Sequence, residues 1–275
     1  MSRWFTAASI IALASAVALP SWAGSPVPDF NGVYGRDAHN YPKPYMTRGA
    51  ARNATITDGY NNPILKPWVV ELLRRDDLVE KNGHPTITAH STCYPEGVPY
   101  VFGGTQIQIL QTPSEITTIF GDPGQLRTIY MNRPHSKHVE PSWYGESVGH
   151  FEGDTLVVDT IGIGVHPESG SMGFFGTPHT GALHLIERYR YLRPDEKSTA
   201  PRPKNDSFDA DAVIKDGKVL RLTFTVEDPG AYRKPWSVAL DYLPLSSRIR
   251  EYVCAENVRD KDLAPLLPTA DNPDF

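Results

Sequence analysis

The sequence predicts an all-β fold: an antiparallel meandering barrel, or a strongly curved sheet, with one peripheral helix near residues 67–81. Three observations predict it. From residue 105 onward apolar and polar residues alternate with period two, the signature of strands with one buried face. Clusters of Gly, Pro, Asp and Asn punctuate these stretches at turn spacing. Only one stretch before residue 105 carries the longer period of a surface helix.

In chain order, the first 23 residues read as a secretory signal peptide. Arg3 is the only charge, the run Ala7–Leu19 is apolar except for Ser9 and Ser15, and Ser21-Trp22-Ala23 places small residues where a signal peptidase reads them. A periplasmic or secreted location is expected. Residues 24–104 form a wrapping segment, rich in Pro, Gly and Asn over 24–66, with a first short strand within Asp29–Tyr34. Pro67–Lys81 is the helix. Val69, Leu72, Leu73 and Val79 share a stripe, Pro67 suits the first turn and Asn82-Gly83 the stop.

Residues 105–257 form the barrel part of the same single domain. Strands are expected at Gln106–Gln111, Ile116–Phe120, Leu126–Met131, Ser147–Phe151, Thr155–Ile161, Leu183–Leu192, Phe208–Ile214, Lys218–Val226, Pro235–Leu243 and Arg248–Cys254. Turns fall at Thr112–Glu115, Gly121–Gly124, Glu152–Asp154 and Asp216-Gly217. The tail, 258–275, is peripheral. So many short strands must close or stack to hide their edges. A lipocalin-like barrel answers that need first and a sandwich second. Such a barrel would hold a ligand in its lumen.

The chain of 275 residues carries a formal net charge of −5, which argues against nucleic acid or an anionic membrane as partner. No apolar run after the signal segment is long enough to span a membrane. Cys93 and Cys254 suit one disulfide in an oxidising compartment, worth roughly 5 kcal/mol in the chain-entropy model. Two separate buried thiols are the other reading. There is no nucleotide-binding or haem-attachment motif, so no cofactor is expected.

Six of the nine histidines fall between His135 and His184. Histidine titrates near neutral pH and ligates metals, so the density points to chemistry. The expected catalytic group is His135, His179 and His184, with Glu187 as orienting carboxylate and Arg188 to hold a carboxylate or stabilise an enolate. His179 is central to it, held after Pro178. The plainer reading is that each histidine caps a loop. His135, His138 and His179, with Asp159 or Glu187, are the alternative metal set, although no H-E-x-x-H motif occurs. Gly145-Glu146-Ser147-Val148-Gly149 matches a G-x-S-x-G elbow, but a hairpin follows it where the elbow needs a helix. Trp143, Tyr144, Phe174, Tyr232 and Trp236 either line a pocket for a flat apolar substrate or belong to the core.

The block Trp143 to Thr160, W-Y-G-E-S-V-G-H-F-E-G-D-T-L-V-V-D-T, resembles the signature of a large family of exported bacterial proteins. The resemblance spans about residues 90–257. It includes Arg133-Pro134-His135, Pro178-His179, Glu187-Arg188, and Asp228-Pro229 through Pro235-Trp236. It implies an exported, β-rich protein and names no activity. The glycine-rich segment Gly162–Gly176 departs from the family pattern, which implies a different specificity if that segment touches a ligand.

Two functions follow. One is an exported enzyme acting on a small, apolar or aromatic organic molecule by histidine acid–base catalysis, of lyase, hydratase, isomerase or hydrolase type. The other is a non-catalytic, lipocalin-like binding protein.

Overall fold

The computed structural model describes residues 27–35, 62–83, 89, 93–103, 106–121, 125–165, 178–198, 217–246, 248, 249, 251 and 253. The expected signal segment, the strand at 208–214, the tail, Phe174, most of Gly162–Gly176 and Cys254, with the expected Cys93–Cys254 pairing, lie outside these residues.

The elements are β1 (Gly32–Gly35), α1 (Pro67–Lys81), a 3-10 turn at Tyr100–Gly103, β2 (Gln106–Gln111), β3 (Glu115–Phe120), β4 (Gln125–Met131), β5 (Glu146–Glu152), β6 (Thr155–Ile161), β7 (His184–Tyr191), β8 (Leu220–Glu227) and β9 (Trp236–Leu245). The strands follow chain order around a closed barrel, and β9 returns to pair with β1. The all-β class, the barrel and the helix are therefore as the sequence predicts.

Three details differ. β1, from the wrapping segment, is a barrel strand: Val33 pairs with Gln108 on one side and Leu245 on the other. That closure removes both edges, so Arg248–Cys254 is not needed as a wall strand, and Arg248, Ile249, Glu251 and Val253 carry no strand structure. The barrel is also mixed rather than wholly antiparallel, because β4 and β5 are parallel, with Ile129 opposite Ser147 and Met131 opposite Gly149. Finally, α1 buries Val69 and Leu73 but leaves Val79 40% exposed. Near its first turn the helix is tied to the barrel by Lys66 N–H to Ala231 O (3.0 Å) and Trp68 Nε1–H to Gly230 O (2.9 Å).

The parallel pair has a consequence for the site. Adjacent parallel strands cannot be joined by a tight turn, so the chain must return along the barrel before β5 begins. The return is the strap Asn132–Gly145, which runs over the outside. It is anchored at its start by Asn132 N–H to Gly149 O (2.7 Å) and near its end by Ser142 N–H to Gly162 O (3.0 Å) and Gly164 N–H to Ser142 O (2.8 Å). Gly162 lies under Val139, where an added Cβ would come within 2.4 Å of Val139 Cγ1.

Side chains pack the interior. Alternate residues of each strand point inward, among them Ile109, Ile116, Ile129, Val158, Leu185, Leu222, Phe224 and Val238, each at most 2% exposed. Phe30 closes the end where β5 and β7 finish, against Phe151 and Tyr191. Phe102, from the 3-10 turn, packs on Phe120 and Phe224, and its carbonyl accepts the Tyr242 hydroxyl (2.8 Å).

Candidate functional site

Strand alternation decides which side chains reach the outside. Ser147, Thr160 and Leu185 face inward, so Glu146 of β5, Asp159 of β6 and His184 of β7 face outward. Register then gathers them near one rim. Asp159 lies beside Ile186, and His184 is paired with Glu227 of β8. The strap brings His135 over the same patch.

The result is an alternating row of carboxylates and imidazoles. His135 Nδ1 is 2.9 Å from Glu146 Oε1, and its Nε2 is 3.0 Å from Asp159 Oδ1. His184 Nε2 is 3.0 Å from the same Asp159 oxygen, and its Nδ1 is 3.3 Å from Glu227 Oε2. Glu146 is held from the strap as well. Ser136 donates its hydroxyl to Oε2 (2.5 Å) and its N–H to Oε1 (2.7 Å), and Arg133 lies 3.8 Å away. The Ser136 hydroxyl, with its N–H and His135, outweighs partial burial and holds the Glu146 carboxyl down at about 2. Carboxylates only accept hydrogen bonds, while a neutral imidazole has a single N–H. Each ring therefore satisfies both of its carboxylates only when both nitrogens carry protons.

The structure brings His135 and His184 together and places the other expected residues elsewhere. His138 is exposed on the strap. His179 is buried, with Nδ1 3.1 Å from Thr180 O, beside a cap in which Thr180 donates its N–H and hydroxyl to Asp228 (2.6 Å each). Glu187 faces the interior, the opposite side of the sheet from His184. Arg188 faces out and is paired with Glu152, and both are about half exposed. Trp143 is partly buried and stacks on Tyr94. Tyr144 stacks on Phe120 and donates to Gln125; burial first, then the nearby Glu96, pushes its phenol up. Tyr232 and Trp236 belong to the core, edge-on to each other. Among the described residues no group of three or more His, Cys, Asp or Glu side chains is arranged to hold a metal ion.

Sequence reading missed Glu146 and Glu227 as partners of the histidines. Their outward position is legible in the alternation, but their neighbours depend on register and on the strap. It also missed Arg127. Inside the barrel Arg127 donates Nη1–H to Glu187 Oε2 (2.9 Å), Nη2–H to Glu187 Oε1 (2.6 Å), Nε–H to Ser147 Oγ (2.9 Å) and Nη2–H to Thr160 Oγ1 (2.7 Å). Tyr189 completes the group by donating to Glu187 Oε2 (2.7 Å). Burial opposes the Arg127 charge, but Glu187 more than compensates and raises its pKa. Burial, then the Glu187 charge, pushes the Tyr189 phenol well up. Ser147, 1% exposed, belongs to this network and sits within a strand, so no strand–turn–helix elbow presents it.

At the far end of the barrel two open clefts of about 400 and 490 Å³ share Asp29 and Asn31 in their linings. Among the described residues no helix is long and apolar enough to cross a membrane. Comparison with protein-family models, with curated proteins and with solved structures finds no match for this chain.

Proposed function

We propose that this protein is an exported enzyme that moves protons on a small organic molecule, with His135 and His184 as its acid–base pair and Asp159 as their shared orienting carboxylate. The observation that carries the reading is the convergence of two imidazole nitrogens on one carboxylate oxygen, each at 3.0 Å. The second nitrogen of each ring lies against another carboxylate, Glu146 or Glu227, which fixes ring direction. A substrate that takes the place of one imidazole–carboxylate contact meets a ring able to give or take a proton. Asp159 is 41% exposed, so the meeting point is open to solvent.

The charge around the site bears on the substrate. Three carboxylates surround the rings, Arg188 is occupied by Glu152, and Arg133 is 3.8 Å from Glu146. That setting favours a neutral or amine-bearing substrate over a carboxylate. The packed interior, with Arg127 and Glu187 at its middle, speaks against carriage of a ligand in the lumen.

The test is proton exchange. Neutral and amine-bearing ketones, enones and alcohols are incubated with the protein in D2O and followed by proton NMR. Deuterium incorporation or product is expected for at least one class, with a loss of about 10²–10⁴-fold in His135→Gln and His184→Gln. Absence of exchange and product across the panel, or full activity in both variants, would overturn the reading.

A further inference from the structure

We infer that the two histidines form a proton-operated latch that holds the middle of the crossover strap against the barrel wall. The argument starts from how the strap is tied. Its backbone hydrogen bonds to the barrel lie at Asn132 and Ser142. Between those anchors the polar ties run from His135 and Ser136 to Glu146 and Asp159, with Arg133 3.8 Å from Glu146.

The charged groups facing the two rings come from four elements. They are Glu146 of β5, Asp159 of β6, Glu227 of β8, and Arg133 of the strap behind Glu146. With both nitrogens protonated, His135 bridges Glu146 and Asp159, and the strap is pinned to two strands at once. Once a ring keeps one proton, one of its nitrogens turns a lone pair toward a carboxylate, and that contact becomes repulsive. Because His135 and His184 share Asp159 Oδ1, the state of one ring bears on the other. Glu146 stays ionised throughout, since its carboxyl is held down at about 2, and imidazole is the side chain whose charge ordinarily changes between about pH 5 and 8. The sign is definite: acid closes the latch, and rising pH loosens the strap around His135 and Ser136 while the anchors hold.

The test reads the strap directly and requires no turnover, so its failure is separable from failure of the enzymatic reading. Amide protection factors, corrected for the intrinsic pH dependence of exchange, are measured by NMR on the full chain between about pH 5 and pH 8. Protection of the Ser136 amide, which donates to Glu146 in the middle of the strap, should fall about tenfold or more across that range, the scale of one charge-assisted hydrogen bond, while β5 and β6 stay constant. In His135→Gln, protection should be low and flat. His184→Gln should move the midpoint, and His150→Gln, whose ring pairs with Glu152 rather than with a strap residue, should match the wild type. Flat protection in the wild type, or an unchanged pH response in His135→Gln, would overturn the inference.

Discussion

Arg127 of β4 and Glu187 of β7 meet inside the barrel through two hydrogen bonds of 2.9 and 2.6 Å, with both side chains at most 1% exposed. They lie on strands three apart in the wall, so the pair crosses the interior and braces it. Removing one partner strands a buried charge. Arg127→Met or Glu187→Leu should each cost about 3–5 kcal/mol, whereas replacing both together by apolar residues should cost less than either alone. Urea titration of the two singles and the double checks this; additive losses would contradict it.

Ser147 is the third member of that network. Ser147→Ala leaves the Arg127 Nε–H without its 2.9 Å acceptor, so it should lower stability by about 1–3 kcal/mol. An organophosphonate probe should leave Ser147 unlabelled in the folded protein. Labelling detected by mass spectrometry would revive the nucleophile reading.

Gly145, at the strap's end, has a φ of 62°, and an added Cβ would lie 2.3 Å from Ile161 O. The obstacle is backbone in a paired strand and has no rotamer by which to yield. Gly145→Ala should therefore cost about 1–3 kcal/mol or more. A thermal melt matching the wild type would show that the strap re-seats freely.

Glu146 couples the strap to acid stability. Its folded carboxyl is lowered from an ordinary 4.5 to about 2. The stabilisation is thus complete above about 4.5 and is lost as pH falls toward about 2. Glu146→Gln should be less stable than the wild type at neutral pH, and the gap should narrow through that acid window. Chemical denaturation at several pH values checks it, and a gap constant with pH would exclude the coupling.

His184 and His179 separate chemistry from support. His184→Gln should reduce proton exchange on the true substrate by about 10²–10⁴-fold while leaving the melting temperature near that of the wild type. His179 is buried beside the Asp228 cap, so His179→Ala should show mainly as a lower melting temperature. The opposite pattern would move the centre of the site to His179.

Much of the barrel was legible in the residues themselves. Period-two stretches such as Leu220–Glu227 and tight turns such as Glu152–Asp154 are local signals, because side-chain alternation and turn geometry depend only on a few neighbouring residues. His135 and His184 were legible as candidates through their density. Their three carboxylates were not legible as a set, because Glu146, Asp159 and Glu227 are adjacent only through cross-strand pairing and the strap.

The sequence by itself determined the all-β class, the segments that form β2 to β9 and the helix Pro67–Lys81, and its alternation gives neighbouring strand residues opposite faces. Only the tertiary structure decided that β1 closes the barrel on β9, that β4 and β5 run parallel, and that the connection between them lays His135 over Asp159. It alone set Glu187 on Arg127 rather than beside a histidine. The physical reason is that alternation assigns each side chain a face but not a neighbour. Neighbours are chosen by register and closure, which satisfy every strand at once.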